Sequence, residues 1–284
     1  MRASAPREDR AAPQTIDVDD LVRTGVELLE ANRPVLAEVP LRQAAQLGSP
    51  LAVFNLACAL AQQSRWDEAL ALFKEAASVN VHGAWLHVGH VLRELDKPDA
   101  AEDAYNNAAD AGDLDGLVEL AFLLRERGDQ YKATQLAEIA ADAGNPLAAA
   151  VLAAWRWQET QDVALEAPLR EGAEVYQDAR AALSHLLRVT DRMTEARQLL
   201  EAGTQLNEKG AWLPLGNLLL DVFDDSQAAE VAYRGGIAAG DAHSHHNLAQ
   251  LLEARGDREQ AIEHYRAGAA RGDELADAAL KRLT

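Results

Sequence analysis

The histidines offer the first candidate chemistry. His243 and His246 stand three residues apart, as do His87 and His90, so on a helix either pair shares one face and can aim two imidazoles at one ligand. Neither pair has a third ligand of the kind a zinc site needs, and no metal is expected. Cys58 is the single cysteine, so it can form no intramolecular disulfide, and as a buried thiol it behaves as a small hydrophobe. The acidic clusters Asp17, Asp19, Asp20 and Asp221, Asp224, Asp225 read as helix caps and solvated turns rather than catalytic carboxylate pairs. No phosphate loop, nucleophile elbow or metal-hydrolase motif occurs. The chain is therefore expected to carry no catalytic residue and no cofactor.

Composition narrows the remaining classes. The 284 residues are 48% hydrophobic and 26% charged, enough apolar side chain to bury a substantial core. The net charge of −19 argues against partners such as nucleic acid or an anionic membrane, because phosphate binding needs a basic footprint. No apolar run approaches the roughly 18 residues of a spanning helix. The first fifteen residues, MRASAPREDRAAPQT, lack the apolar stretch of a signal peptide, and residues 1–16 are expected to form a disordered tail. A lone cysteine suits a reducing cytoplasm. Arginine outnumbers lysine 22 to 5, a composition typical of a GC-rich bacterial source.

What positions any functional side chain is a repeat. The pattern Leu-small-x-apolar-Leu begins at Leu56 and recurs at Val88, Leu120, Leu152, Leu183, Leu215 and Leu248, in steps of 32, 32, 32, 31, 32 and 33 residues. Thirteen residues beyond each start lie Ala69, Ala101, Ala133, Leu165, Ala196, Ala228 and Ala261. Extrapolated backwards, the register lands on Thr24-Gly25 with Ala37, Leu41 and Ala44 following, which makes an eighth unit. Extrapolated forwards, it lands on Leu280, where room remains for one capping helix at 273–284.

Apolar residues within a unit follow helical spacing, with Val53, Leu56, Ala57 and Leu60 on one stripe and Ala69, Leu72, Phe73 and Ala76 on another. Breakers separate the stripes at Ser64, Asp96, Gly128, Asp191, Asp224 and Gly256, and Gly followed by Asp both ends one helix and caps the next. Each unit is thus expected to be two antiparallel helices of roughly 14 residues. Alanine at the alternate contact points lets them approach closely. The unit containing Leu152 breaks the pattern. Arg156 takes an apolar position, Leu165 replaces the packing alanine, and Pro168 falls where the second helix should be running, so 161–175 is expected to be irregular. Pro214 is milder, being expected near a helix start.

Trp85-x2-Val88-Gly89-x2-Leu92 and Trp212-x2-Leu215-Gly216-x2-Leu219 resemble the first-helix signature of the tetratricopeptide repeat. Ala69-x3-Phe73, Ala101-x3-Tyr105 and Ala261-x3-Tyr265 are similar to its second-helix signature. The period of about 32 is shorter than the usual 34. The resemblance implies an all-α fold, a single right-handed α-solenoid of antiparallel helix pairs over residues 17–284, closed by the capping helix. It also implies a concave groove, lined by the first helices, that holds a peptide or helix of a protein partner. Carried onto this sequence, the groove residues are Phe54, Leu86, His90, Arg93, Phe122, Arg125, Trp157, His185, Arg188, Asn217 and His246.

Arg93, Arg125 and Arg188 recur at one groove position, with Trp157 filling the gap. Such a ladder can bind carboxylates by paired hydrogen bonds, which points to a partner with an acidic motif. The competing reading is that each arginine sits in a last helical turn, where a cation favours the helix dipole by roughly 0.3–1 kcal/mol. The expected function is protein recognition as a cytoplasmic adaptor or scaffold, not catalysis, by a monomer or weak homodimer. A self-associating scaffold is the first alternative and an enzyme built on helical repeats the second.

Overall fold

The computed structural model describes residues 17–283. Among these are seventeen α-helices, one 3-10 turn and no strand. The helices run in sequence pairs: α1 (Val18–Glu30) and α2 (Pro34–Gln46), α3 (Pro50–Ala61) and α4 (Trp66–Ser78), α5 (Ala84–Glu94) and α6 (Pro98–Asp110), α7 (Leu114–Glu126) and α8 (Gln130–Asp142). There follow α9 (Pro146–Thr160) and α10 (Glu166–Gly172), α11 (Gln177–Val189) and α12 (Met193–Gln205), α13 (Lys209–Asp221) and α14 (Ser226–Ala238), α15 (His243–Ala254) and α16 (Arg258–Ala269), and the unpaired α17 (Glu274–Leu283). The fold is an all-α repeat solenoid. The expected tail at 1–16 lies outside the described residues. No described helix is long and apolar enough to cross a membrane.

The turns explain why the period survives so much sequence change. Within pairs, the chain passes through a left-handed residue at Asn32, Ser64, Asp96, Gly128, Gln161, Asp191, Asp224 and Gly256. Six of these are the breakers read from the sequence. Most pairs close with a hydrogen bond spanning five residues, as from the Arg65 amide to the Leu60 carbonyl at 3.0 Å and from Lys97 to Leu92 at 2.9 Å. That bond satisfies the carbonyls left open at a helix end, and it needs the residue before the donor to be left-handed. Glycine takes this conformation freely, whereas a Cβ costs about 1–2 kcal/mol that Asn and Asp partly offset by local hydrogen bonding. Between pairs, the first helices α3, α7 and α9 start on side-chain caps: the Ala52 amide donates to Ser49 Oγ, Asp115 to Asp113 Oδ1 and Ala148 to Asn145 Oδ1.

Packing inside a pair is a knob in a notch. Tyr105, Tyr233 and Leu41 are almost fully buried and lie against Gly89, Gly216 and Gly25 of the preceding helix. A Cβ on Gly89 would stand 2.3 Å from Tyr105 Cε1, and one on Gly216 would stand 2.4 Å from Tyr233 Cε1. The small residue of the repeat pattern is therefore the seat of the large residue sixteen or seventeen positions later. Ala37, Ala69, Ala101, Ala133, Ala196 and Ala261 are completely buried, as the register requires. In the α13–α14 pair the buried alanine is Ala229 rather than Ala228. The connection there holds one more residue, shown by the Asp225 amide reaching back six positions to the Leu219 carbonyl, and it moves α14 on by one.

The contacts divide the chain into two compact bodies, one running to Leu136 and the other starting at Ala137. The first is centred on Leu56, Phe73, Val88, Leu92 and Tyr105. The second is centred on Leu183, Leu186, Leu218, Tyr233, Leu248 and Tyr265. The irregular pair lies in the second body. After α9 the chain makes a 3-10 turn at Val163–Leu165, and α10 has only seven residues. Because α10 starts so late, Pro168 falls in its first turn, where its missing amide has no helical acceptor to lose. Leu169 supplies the buried side chain that Leu165 does not. Pro214 sits in the second turn of α13 rather than near its start, because α13 begins at Lys209.

Candidate functional site

In the α1–α2, α5–α6 and α13–α14 pairs the second helix fills a notch in the first, which leaves the outer edge of the first helix to carry its more accessible side chains. In the first body these form a continuous ribbon. Phe54 on α3 meets Phe73 edge-on at 5.5 Å and His87 at 5.0 Å, and His87 stands 5.8 Å from His90. His87 Nδ1 lies 3.0 Å from the Gly83 carbonyl, and burial pulls its pKa down. His90 is half-exposed, edge-on to Tyr105 at 5.8 Å, with Nε2 3.6 Å from Glu119 Oε1 on α7. Arg93 donates to both carboxylate oxygens of Glu126, at 2.8 and 3.1 Å, and lies 3.8 Å from Glu119. Burial works against its charge, but the Glu126 carboxylate and the Tyr105 and Glu119 oxygens outweigh it and raise the guanidinium pKa. The arginine expected to receive a ligand carboxylate is thus already held by two carboxylates of its own chain. Leu86 is half-buried, packed on the core beneath the ribbon. Phe122 and Arg125 are half-buried on α7.

The second body distributes its groove residues differently. Trp157 is only 3% exposed and belongs to the same core cluster as Leu169. It supports the site from below, meeting the exposed His185 edge-on at 5.6 Å. Arg188, one turn beyond His185 on α11, is half-buried and makes no salt bridge among the described residues. Asn217 Oδ1 accepts the Tyr233 hydroxyl at 2.9 Å and Asn247 Nδ2 at 2.6 Å. His246 is buried against Tyr265, with ring centres 5.6 Å apart, and burial lowers its pKa. His243 instead faces Asp273 at 3.2 Å, so the two histidines have different partners. No group of three His, Cys, Asp or Glu able to hold a metal occurs among the described residues.

Two features of this surface were invisible to the groove register. The first is the hydroxyl of the second-helix tyrosine, which passes the notch and reaches the first-helix edge. Tyr233 donates to Asn217 and Tyr265 to Glu253, and burial pushes all three phenols, Tyr105 included, up to about 12. A tyrosine at a core position is itself the signal, since its hydroxyl needs a partner. The second is Glu119 and Asn247, one residue beyond the first column of the groove set. Cys58 is half-buried, and desolvation raises its thiol to about 11, which disfavours a thiolate nucleophile.

A separate set of arginines stitches repeats together. Arg65, Arg127, Arg192 and Arg255 each follow a first helix and pair with a carboxylate on the second helix of the preceding repeat: Glu38, Glu102, Glu166 and Glu230. Most add a second anchor, as Arg127 does with Asp99 at 2.8 Å and Arg255 with the Ser226 carbonyl at 3.0 Å. Arg170 and Arg192 between them hold the Glu195 carboxyl down at about 2. These residues lie outside the groove register and serve the fold.

Two family models described as tetratricopeptide repeat match the chain, over residues 55–81 and 244–276. Comparison with curated proteins gives no match. Among solved structures, the chain is similar to c5321, a protective antigen of uropathogenic Escherichia coli with an SLR fold, at 19% identity and a TM-score of 0.60. The similarity covers 93% of this chain and 63% of that one, so the chain spans less than two thirds of the antigen. The apo form of the quorum sensor NprR from B. thuringiensis is similar at 13% identity and a TM-score of 0.60, over 90% of this chain and 89% of NprR. The Cut9–Hcn1 hetero-tetramer of the APC/C is similar at 17% identity and a TM-score of 0.52, over 95% of this chain and 49% of that chain.

Proposed function

We propose that this tetratricopeptide-like helical repeat protein is a non-enzymatic recognition module, an adaptor or scaffold that holds a peptide or helix of a partner protein against the exposed edges of its first helices. The observation that carries the reading is the ribbon from Phe54 through His90 to Arg93, Glu119 and Glu126. Aromatic edges, an imidazole and paired charges lie in a row on successive helices, which suits the alternating side chains of an extended or helical ligand. Repeats of this kind serve in general as protein-interaction folds, and the similar Cut9–Hcn1 structure is an assembly of two different proteins.

The pairing of the arginines supports one position for an acidic group of the ligand. Arg93 is neutralised by Glu126 and Glu119, so a ligand carboxylate there must displace one of them. Arg188 has no such competitor among the described residues and stands beside the exposed His185. A carboxylate of the partner is therefore proposed at Arg188, beside His185 on the same helix. A cytoplasmic site of action completes the reading, supported by the single cysteine.

The test is comparative capture by the full chain. Wild type, the variant His185→Asp with Arg188→Glu, and the control Arg266→Glu on α16 are used to retain proteins from the native host, and the partner shared by wild type and control is then titrated. The double variant should bind it about tenfold more weakly or worse, and the attraction should fall with added salt. Equal retention and equal affinity across all three proteins would overturn the assignment.

A further inference from the structure

The outer face of α2 departs from its counterparts in a way the repeat itself measures. Val35, Leu36 and Val39 are 63%, 52% and 64% exposed. Thirty-two residues later, α4 has Asp67, Glu68 and Ala71 at these positions, and α6 has Asp99, Ala100 and Asp103, all likewise exposed. The fold thus turns these positions to water in each of the three pairs, and only α2 fills them entirely with large apolar side chains. Its one carboxylate, Glu38, is turned to the side and held by Arg42 at 2.7 Å, Arg65 at 2.8 Å and Gln63 at 2.8 Å. Past Val39 the exposed Arg42, Gln43 and Gln46 interrupt the apolar side chains, and beyond them Leu47 and Leu51 are each more than half exposed.

We infer that this face is the contact between two copies of the chain, α2 against α2 about a two-fold axis near Val39. Each copy carries a net charge of −19, so two copies brought together through a typical outer face set like charges against each other. The α2 face presents no acid and offers apolar area instead. A self-complementary contact uses the same patch twice and closes at a dimer. The ten side chains from two copies supply on the order of 1,000 Å², the lower bound for a specific interface, so the dimer is reversible and forms in the micromolar range or above. This contact is independent of the first-helix edges and stands or falls apart from the ligand proposed for them.

Sedimentation velocity on the full chain, from low to several hundred micromolar, should show a monomer shifting to a dimer. Val39→Asp should weaken the association at least tenfold, while Ala71→Asp, the register equivalent on α4, should leave it unchanged. Both positions are exposed, so neither variant should lose helical circular dichroism. In a Cys58→Ala background, Val39→Cys should give a disulfide-linked dimer under mild oxidation and Ala71→Cys should not. A chain that stays monomeric at the highest concentration, a dimer indifferent to Val39→Asp, or a monomer whose α2 face holds a different protein would each overturn the inference.

Discussion

Cutting one inter-repeat arginine should loosen one joint of the solenoid and leave the rest alone. Arg255 is the cleanest case. It joins the repeat of α15 and α16 to the preceding one through Glu230 and the Ser226 carbonyl, and Glu230, with its side chain 15% exposed, retains Arg234 as a second cation. The retained cation keeps the loss below that of stranding a buried charge. Partly exposed ion pairs are worth roughly 0.2–1 kcal/mol, and the lost bond to a carbonyl adds a comparable amount, so Arg255→Ala should cost about 1 kcal/mol. For a chain of this length that is about 2–4 °C in Tm. The location of the effect discriminates better than its size. Solenoid stability is a sum of repeat terms and nearest-neighbour terms, so hydrogen exchange should quicken in α15 to α17 and stay unchanged in α11. A double-mutant cycle of Arg255→Ala with Glu230→Ala should return a coupling of about 0.5–1 kcal/mol. Additive single effects, or exchange that rises equally throughout the second body, would refute the clasp and reduce Arg255 to a surface charge.

Other outcomes follow from the notch, the histidines and the irregular pair. Gly216→Ala gains about 1 kcal/mol of helix propensity but drives a methyl against the Tyr233 ring, an overpacking cost of about 1–3 kcal/mol, so its denaturation midpoint should fall; an unchanged or raised midpoint would contradict the packing. His87, His245, His246 and His264 all have pKa values lowered from 6.5, with burial the leading cause, so the unfolded chain binds protons that the folded one refuses. Stability should therefore be full above about pH 6.5 and decline as the pH falls through it, and His245→Phe should flatten that decline in urea titrations at pH 7.5 and 5.5. Amide exchange across 161–175 should be faster than across 130–143, because a 3-10 turn and a seven-residue helix replace a full second helix.

How far the sequence led depends on the range of the interaction that decides each feature. Helices and turns are decided within about six residues. Ser64, Asp96 and Asp224 could be read as breakers because a left-handed residue is needed to close a helix end, and these types tolerate it. The glycine notch was not read from the sequence, because the small residue and its knob lie sixteen or seventeen positions apart on two different helices. The one-residue error at Ala228 arose where a connection lengthened by a single aspartate, which no helical period reports.

Partnering between repeats follows a different rule, and there the register misled. Arg93, Arg125 and Arg188 occupy equivalent positions, so they look like one ladder. What each contributes is decided by the residues two places away on the next first helix. For Arg93 these are Glu126, which accepts its hydrogen bonds, and Glu119, an ion-pair neighbour 3.8 Å away. Trp157 likewise holds a groove position by number, but its indole is buried in the core of the second body. Equivalence of position along a solenoid therefore guarantees equal backbone geometry without guaranteeing equal availability. The residue left available at the ladder position in the second body is Arg188, whose neighbour His185 is held at the surface by the buried Trp157. The failures of the repeat, more than its regularity, thus decide which of the equivalent arginines the chain's own carboxylates already hold.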